Sequence, residues 1–193
     1  MRYKTGHREE ARARMIAAAG RGFRRKGFGG IGVDGLAKEA EVTSGAFYGH
    51  FPSKEAAFKE ATAAGIEELR AGVESFQEQH GTKWVEAFID FYLGQKRTCE
   101  IGESCALQSL TSEVARSDVE IRAAFQDGLV KVVEQVAEGL EGGTLAERKK
   151  RAWSLLAILS GGVTMARSVA DTDVSARIAK SVREAALVAA GSS

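Results

Sequence analysis

The chain has 193 residues, enough for one sizeable hydrophobic core or two small ones. Its 44% of hydrophobic and 27% of charged residues are ordinary for a soluble globular protein. The net charge of +1 conceals an asymmetry, because residues 1–54 carry eleven Lys or Arg against five Asp or Glu, whereas residues 55–193 carry sixteen against twenty-one. A basic N-terminal region followed by an acidic remainder is typical of nucleic-acid-binding proteins.

Several kinds of protein are excluded by features that the sequence lacks. Glu9 and Glu10 stand where a secretory signal would have its apolar run, so a cytoplasmic location is expected. The uncharged run of 15 residues from Ala152 to Ala166 is shorter than the ~20 that cross a bilayer, so no membrane association is expected. Two cysteines do not make a disulfide framework, and three histidines far apart in sequence support no metal site. No cofactor is predicted.

The pattern of apolar residues predicts an all-α fold of about nine helices. The chain has a single proline and lacks the alternating Val, Ile and Thr runs that are typical of strands. The first helix is predicted over about residues 9–26, with Gly27 as a left-handed residue at its end. The second is predicted over residues 33–40, where apolar residues recur at helical spacing.

A third helix is predicted to begin after Thr43, whose side chain can cap its first free N–H groups. Phe47 and Phe51 are four residues apart, so they share one helix face and can close a core with the two preceding helices. The opposite face contains Gly45 and Gly49 and has little side-chain bulk. Two glycines in a short helix cost about 1 kcal/mol each relative to alanine, which indicates a surface that another molecule approaches closely.

The remaining helices are predicted from apolar stripes and capping residues. A fourth helix is predicted over residues 54–79, and the polar segment 94–104 is predicted to be a loop. Ser117 and Thr144 are each followed three residues later by Glu, a pattern that predicts capping boxes at the start of two long helices. Asp171 is predicted to cap the last helix.

A set of spaced residues covers the N-terminal region: Gly27-Phe28, Val33-Asp34, Leu36-Ala37, the run from Val42 to Phe51, and Lys54-Glu55. Over about residues 8–60 they resemble the DNA-binding signature of the TetR family of transcriptional regulators. The sequence departs from that signature at Gly32, where the family often has Thr or Ser, and at Glu41, where it favours Gly. The resemblance implies a three-helix helix-turn-helix domain, residues 1–53, followed by a helical-bundle domain for effector binding and dimerisation, residues 54–193.

The resemblance also implies that the third helix is the recognition helix of a repressor that binds a palindromic double-stranded DNA operator. The residues that this assignment places against DNA are Thr43, Ser44, Gly45, Ala46, Tyr48, Gly49, His50 and Lys54. It further implies a small apolar or electrophilic effector that releases the protein from DNA. Effector-pocket residues are predicted to be Phe88, Phe91, Tyr92, Cys105, Phe125 and Trp153, although aromatic residues at helical spacing also fit a core.

A homodimer is predicted because a palindromic operator needs two recognition helices. The last two helices are expected to form the interface. Their predicted contact residues are Ile158, Gly161, Gly162, Val163, Ile178 and Val182.

Three alternatives follow from the same residues. The run that begins at Cys105 resembles a branch of the family that carries a cysteine at this place. Some members of that branch sense electrophiles or oxidants, but a free cysteine is also commonly a small buried apolar residue. A thiol hydrolase would need a histidine base, for which only His80 is a candidate, so an enzyme is not expected. A helical partner-binding protein without sequence-specific DNA binding fits the helical pattern but not the basic N-terminal region.

Overall fold

The computed structural model describes residues 3–191, with side chains from Glu9 onward. The regular structure in this range is helical, which confirms the all-α prediction. The helices are α1 (Tyr3–Gly30), α2 (Val33–Glu39), α3 (Ser44–Tyr48), α4 (Lys54–His80), α5 (Trp84–Leu93), α6 (Gln95–Thr98), α7 (Ala106–Val114), α8 (Val119–Gly139), α9 (Leu145–Ser168) and α10 (Thr172–Ala190). Two 3-10 turns are Gly81–Lys83 and Ile101–Glu103. The prediction of a loop over 94–104 is wrong, because α6 and a 3-10 turn lie within it.

The chain forms two compact units that do not follow chain order. The first unit contains the residues up to Gly65 together with Ile101–Gln126. The second contains Ile66–Glu100 together with the residues from Asp127 onward. Packing therefore groups the residues differently from a division by function, and the boundary after residue 53 stays a prediction.

The first unit has an aromatic core. Phe23, Phe47, Phe51 and Phe58 are fully buried, as is Leu36 of α2. The ring centroids of Phe23 and Phe58 are 5.0 Å apart, and those of Phe47 and Phe51 are 5.1 Å apart. The predicted core of three N-terminal helices is confirmed, and α4 adds Phe58 to it.

A break in α1 separates its last turn from the rest of the helix. Gly27 has φ 71° and ψ 167°, a conformation that is essentially restricted to glycine. The left-handed residue predicted here is matched in the sign of φ and in the position of the break, but its ψ lies outside the left-handed helical region and helix resumes as far as Gly30. The last turn therefore leaves the axis of α1 before α2 begins.

The second unit is built on α9, which packs against α5, α6 and α10. Leu155, Leu159 and Val163 of α9 are buried. Trp84, at the start of α5, is also buried, and its Nε1 donates a hydrogen bond to the carbonyl of Gly139 at 2.8 Å. The indole therefore joins the start of α5 to the end of α8.

Of the three caps predicted for the helices after α7, two are confirmed. Thr144 and Glu147 form the reciprocal capping box of α9, and Asp171 accepts hydrogen bonds at the start of α10. The prediction for Ser117 is wrong, because its hydroxyl donates to the carbonyl of Glu113 in the preceding helix. Asp118 accepts from the amide of Ile121 at 2.9 Å instead.

Candidate nucleic-acid interface

The helix α3 is short and is held by the two phenylalanines predicted to support it. Thr43 Oγ1 accepts a hydrogen bond from the amide of Ala46 at 3.1 Å, which confirms the predicted cap. Regular helix ends at Tyr48, so Phe51 lies in the turn that follows. Phe47 and Phe51 are both 0% exposed, because the amide of Phe51 still bonds the carbonyl of Phe47 and keeps the rings on one side.

The opposite side of α3 is a thin exposed surface. Gly45, Ala46, Tyr48 and Gly49 are exposed, and Tyr48 is 55% accessible. A Cβ added at Gly45 would meet only the hydroxyl of Thr43, at 3.9 Å. This surface allows a rigid partner to approach the α3 backbone closely, with the Tyr48 ring beside it.

Three of the residues predicted to contact DNA are half-buried: Ser44, His50 and Lys54. Ser44 has a polar partner that the sequence did not reveal. The hydroxyl of Ser44 donates to Oδ1 of Asp34 at 2.6 Å, and Asp34 lies in the first turn of α2. This bond ties the start of α3 to the start of α2. His50 is half-buried in the turn after α3.

The ammonium of Lys54 is directed toward the connection between α1 and α2. Its Nζ donates to the carbonyl of Phe28 at 2.9 Å and to that of Ile31 at 3.4 Å. It also lies 4.1 Å from the centroid of the Phe28 ring, within cation–π range. The resemblance to the family signature groups Lys54 with the recognition helix, and the local sequence contains no signal for these carbonyl partners.

Basic residues of α1 join this helix to its neighbours. Arg12 forms an ion pair with Glu60 of α4 at 2.6 Å, and Arg25 pairs with Glu39 of α2. Arg24 Nε donates to the carbonyl of Gly102 in a 3-10 turn at 2.5 Å. Some of the basic side chains in this region are therefore paired within the first unit, whereas Arg14, Lys26 and Lys38 are exposed to solvent.

The six predicted effector residues are divided between the two units. On α5, Phe88, Phe91 and Tyr92 belong to an aromatic cluster in which Phe76 lies 5.2 Å from Phe91 and 5.7 Å from Phe88. Cys105 and Phe125 belong to the first unit and Trp153 to the second. Trp153 is 45% exposed on α9. A common cavity for these residues stays a prediction.

An open groove of about 390 Å³ lies in the second unit. Its lining residues are Gln77, Gly81, Thr82, Trp84, Glu138, Gly139 and Glu141. None of them is a predicted effector residue. Hydrogen bonds fix the walls, since the side chains of Gln77 and Gln135 pair at 2.8 Å.

The predicted dimer residues differ in how far they are used within one chain. Val163 is 1% exposed, and a Cβ added at Gly162 would lie 2.5 Å from Cγ1 of Val182, so these residues pack α9 against α10. Ile158 and Ile178 are half-buried. Gly161 is exposed, and a Cβ there would meet nothing within 4 Å.

Cys105 is the residue immediately before α7. Its thiol is free and half-buried, and its side chain makes no capping hydrogen bond. The helix α7 packs against α1 within the first unit. The cysteine is thus placed beside an element that supports the helix-turn-helix.

Within residues 3–191, no helix is long and apolar enough to span a membrane.

Comparison with known proteins agrees with this arrangement. Residues 15–61 match the family model for bacterial regulatory proteins of the tetR family. The HTH-type transcriptional repressor DhaR of Mycobacterium sp. (strain GP1) is 26% identical over 154 residues, covering 78% of this chain and 76% of DhaR. The HTH-type transcriptional repressor NemR of Escherichia coli K12 is 28% identical over 144 residues, covering 69% of each chain.

Solved structures show the same fold. The reduced form of E. coli NemR aligns with a TM-score of 0.75 at 20% identity, covering 91% of this chain and 96% of NemR. Bacillus subtilis FadR in complex with stearoyl-CoA aligns with a TM-score of 0.62 at 15% identity, covering 90% of this chain and 98% of FadR. The likeness extends to both compact units, beyond the N-terminal match.

Proposed function

Because the chain belongs to the tetR family of bacterial regulatory proteins, we propose that this DNA-binding transcriptional regulator represses its targets as a homodimer on a near-palindromic operator. The observation that carries the proposal is the thin exposed surface of α3. Buried Phe47 and Phe51 hold that surface rigidly, and Gly45 and Gly49 let its backbone approach a duplex. A helical protein that bound only protein partners would not need this surface beside a basic α1.

The proposed DNA contacts come from the start and the exposed side of α3. They are Thr43, Ser44, Gly45, Ala46, Tyr48, Gly49 and His50. None of these is Arg, Lys, Asn or Gln, the side chains that most often make bidentate base contacts. Close backbone approach, contact of the Ala46 methyl with thymine and DNA shape should therefore provide most of the specificity, while Tyr48 contacts phosphate.

Selection of duplexes from a random-sequence library tests the proposal. The wild-type protein should enrich a two-fold symmetric site. Tyr48→Ala should then weaken binding to that operator and to an unrelated duplex by the same factor, because phosphate contacts carry no sequence information. Tyr48→Phe is the matched control that removes only the hydroxyl. Loss confined to the operator would make Tyr48 a base reader, and a library without enrichment would favour the partner-binding alternative.

We also propose that a small apolar or electrophilic effector lowers DNA affinity. An effector needs only a difference in affinity between the DNA-binding and released states. Cys105 is the candidate for an electrophile, because it is half-buried and precedes α7, which packs against α1 of the DNA-binding unit. Bulk added to the thiol would therefore disturb an element that supports the helix-turn-helix.

Brief treatment with a maleimide, followed by mass spectrometry and an operator-binding titration, tests the electrophile. Modification of Cys105 should lower operator affinity. Cys105→Ser should bind DNA normally without responding, and the control Cys99→Ser should respond as the wild type does. If Cys105 is modified and DNA affinity does not change, the effector is a reversible apolar molecule instead.

A further inference from the structure

The connection between α1 and α2 is unusually rich in glycine. Gly27, Gly29, Gly30 and Gly32 are four of the six residues over 27–32, and Gly27 breaks α1 with a positive φ. Glycine backbone loses the most conformational freedom on folding, so this segment is poorly fixed by its own sequence. It nevertheless sets where α2 begins. An anchor from elsewhere in the unit is therefore required.

Lys54 provides that anchor. Its ammonium donates to the carbonyls of Phe28 and Ile31, which flank Gly29 and Gly30 within the glycine-rich segment. Cations bond the free carbonyls at the end of a helix favourably. The ring of Phe28 lies below the ammonium and packs on the ring of buried Phe58 at 5.1 Å. One side chain thus joins the turn, the first turn of α4 and the aromatic core.

Two separate contacts connect the elements that flank α3. Lys54 follows α3 by six residues in the chain, and through Ile31 it fixes the start of α2. Asp34 in the first turn of α2 accepts the hydroxyl proton of Ser44, the first residue of α3. We propose that Lys54 is a positioning residue for operator recognition, which acts by setting how α3 is presented and not as a phosphate ligand. This inference rests on the proposed operator binding.

The salt dependence of binding separates the two roles. Each Lys that neutralises a phosphate contributes about 0.9 to the slope of log affinity against log salt. Removal of a phosphate ligand therefore reduces the slope of log affinity against log salt. Removal of an anchor instead weakens binding by the same factor at every salt concentration. An anchor also slows hydrogen exchange of the turn in the absence of DNA.

The test compares Lys54→Met, Lys54→Arg and the control Lys180→Met, which removes an exposed charge from α10. The probes are the duplex that the wild type selects and an unrelated duplex, titrated over a range of KCl at a temperature where all variants are folded. Lys54→Met should bind the operator about tenfold more weakly, as expected for lost hydrogen bonds from a charged group, with an unchanged salt slope. Lys54→Arg should restore affinity, and the control should match the wild type.

Hydrogen exchange of the free protein completes the test, with faster exchange over residues 27–36 expected in Lys54→Met. A slope reduced by about 0.9 with unchanged exchange would make Lys54 a phosphate ligand and overturn the proposal. Faster exchange with unchanged operator affinity would leave only a structural role and also overturn it. If Lys54→Met does not fold, Lys54→Gln, which keeps amide donors without the charge, replaces it. If the wild type selects no operator, the proposed function is contradicted, whereas hydrogen exchange over residues 27–36 still tests whether Lys54 anchors the turn.

Discussion

At the scale of single residues, Glu41 carries backbone strain that the sequence comparison with the family signature indicated. It has φ 56°, and among residues 3–191 it is the one non-glycine residue whose φ is positive. A left-handed conformation costs an L-residue roughly 1–2 kcal/mol. Glu41→Gly should therefore raise the free energy of unfolding by about 0.5–1 kcal/mol, after the entropy cost of glycine is subtracted.

Urea denaturation measures this gain, and Glu41→Ala is the matched control because it removes the carboxylate but keeps the Cβ. The alanine variant should show no comparable gain. An equal gain in both variants would assign the effect to the lost charge and not to the backbone.

Residues whose partners are close in sequence could be predicted, and those with distant partners could not. Phe47 and Phe51 were placed in the core because a spacing of four residues fixes their common side. The acceptors of Lys54 lie 26 and 23 residues earlier in the chain, so no local pattern reveals them. The sequence shows only the charge of Lys54 and its place in the family signature, and both favour a DNA contact.

At the scale of elements, the start of α9 gives a prediction about pH. The backbone N–H and the hydroxyl of Thr144 donate to the Glu147 carboxylate and lower its pKa below the usual 4.5. A depressed carboxyl pKa stabilises the fold above that usual value, and the contribution is lost as pH falls through the lowered pKa. Glu147→Gln should therefore be less stable than the wild type at neutral pH, with a difference that shrinks in acid.

Thermal unfolding at several pH values measures this difference. The matched control is Glu120→Gln, because Glu120 occupies the corresponding position of the Ser117 pattern, where no capping box forms. Its exposed ion pair with Lys59 contributes little. An equal pH dependence in both variants would show that the reciprocal cap is not the cause.

The elements that sequence reasoning missed or misplaced are short or ambiguous at their ends. α6 has four residues, about one turn, so no apolar period can appear in it. At the start of α8 the capping pattern pointed to Ser117, but the hydroxyl of Ser117 bonds the last turn of α7, and Asp118 accepts the amide of Ile121 instead. The long periodic helix α4, predicted over residues 54–79, is matched within one residue at each end.

At the scale of the whole molecule, the first unit combines two segments that are far apart in the sequence. The 3-10 turn Ile101–Glu103 and α7 pack against α1, and Arg24 bonds the carbonyl of Gly102 across 78 residues. Gly65 makes room for α7, since a Cβ there would lie 2.5 Å from Cβ of Ala106. The residues in contact are far apart in sequence, and no helical or strand period connects them. The sequence therefore predicted the helix α7 but not that it packs with the helix-turn-helix.

Dimerisation is the remaining property of the whole molecule that a variant can test. The exposed side of α9 carries Trp153, Ala157, Gly161 and Met165, and Val188 is exposed on α10. Apolar side chains that one chain leaves in solvent along a helix are typical of an interface. We expect this surface to meet its symmetry-related copy.

Gly161→Glu should give a monomer that binds the operator much more weakly, because a charge would be buried in the interface and two half-sites need two recognition helices. Gly162→Glu is not informative, since a side chain there would collide with Val182 of the same chain. The matched control is Gly72→Glu on α4, where an added Cβ also meets nothing within 4 Å. Light scattering should find the control dimeric. If Gly161→Glu is dimeric as well, the subunits meet on another surface, and the exposed face of α9 must be assigned to a different partner.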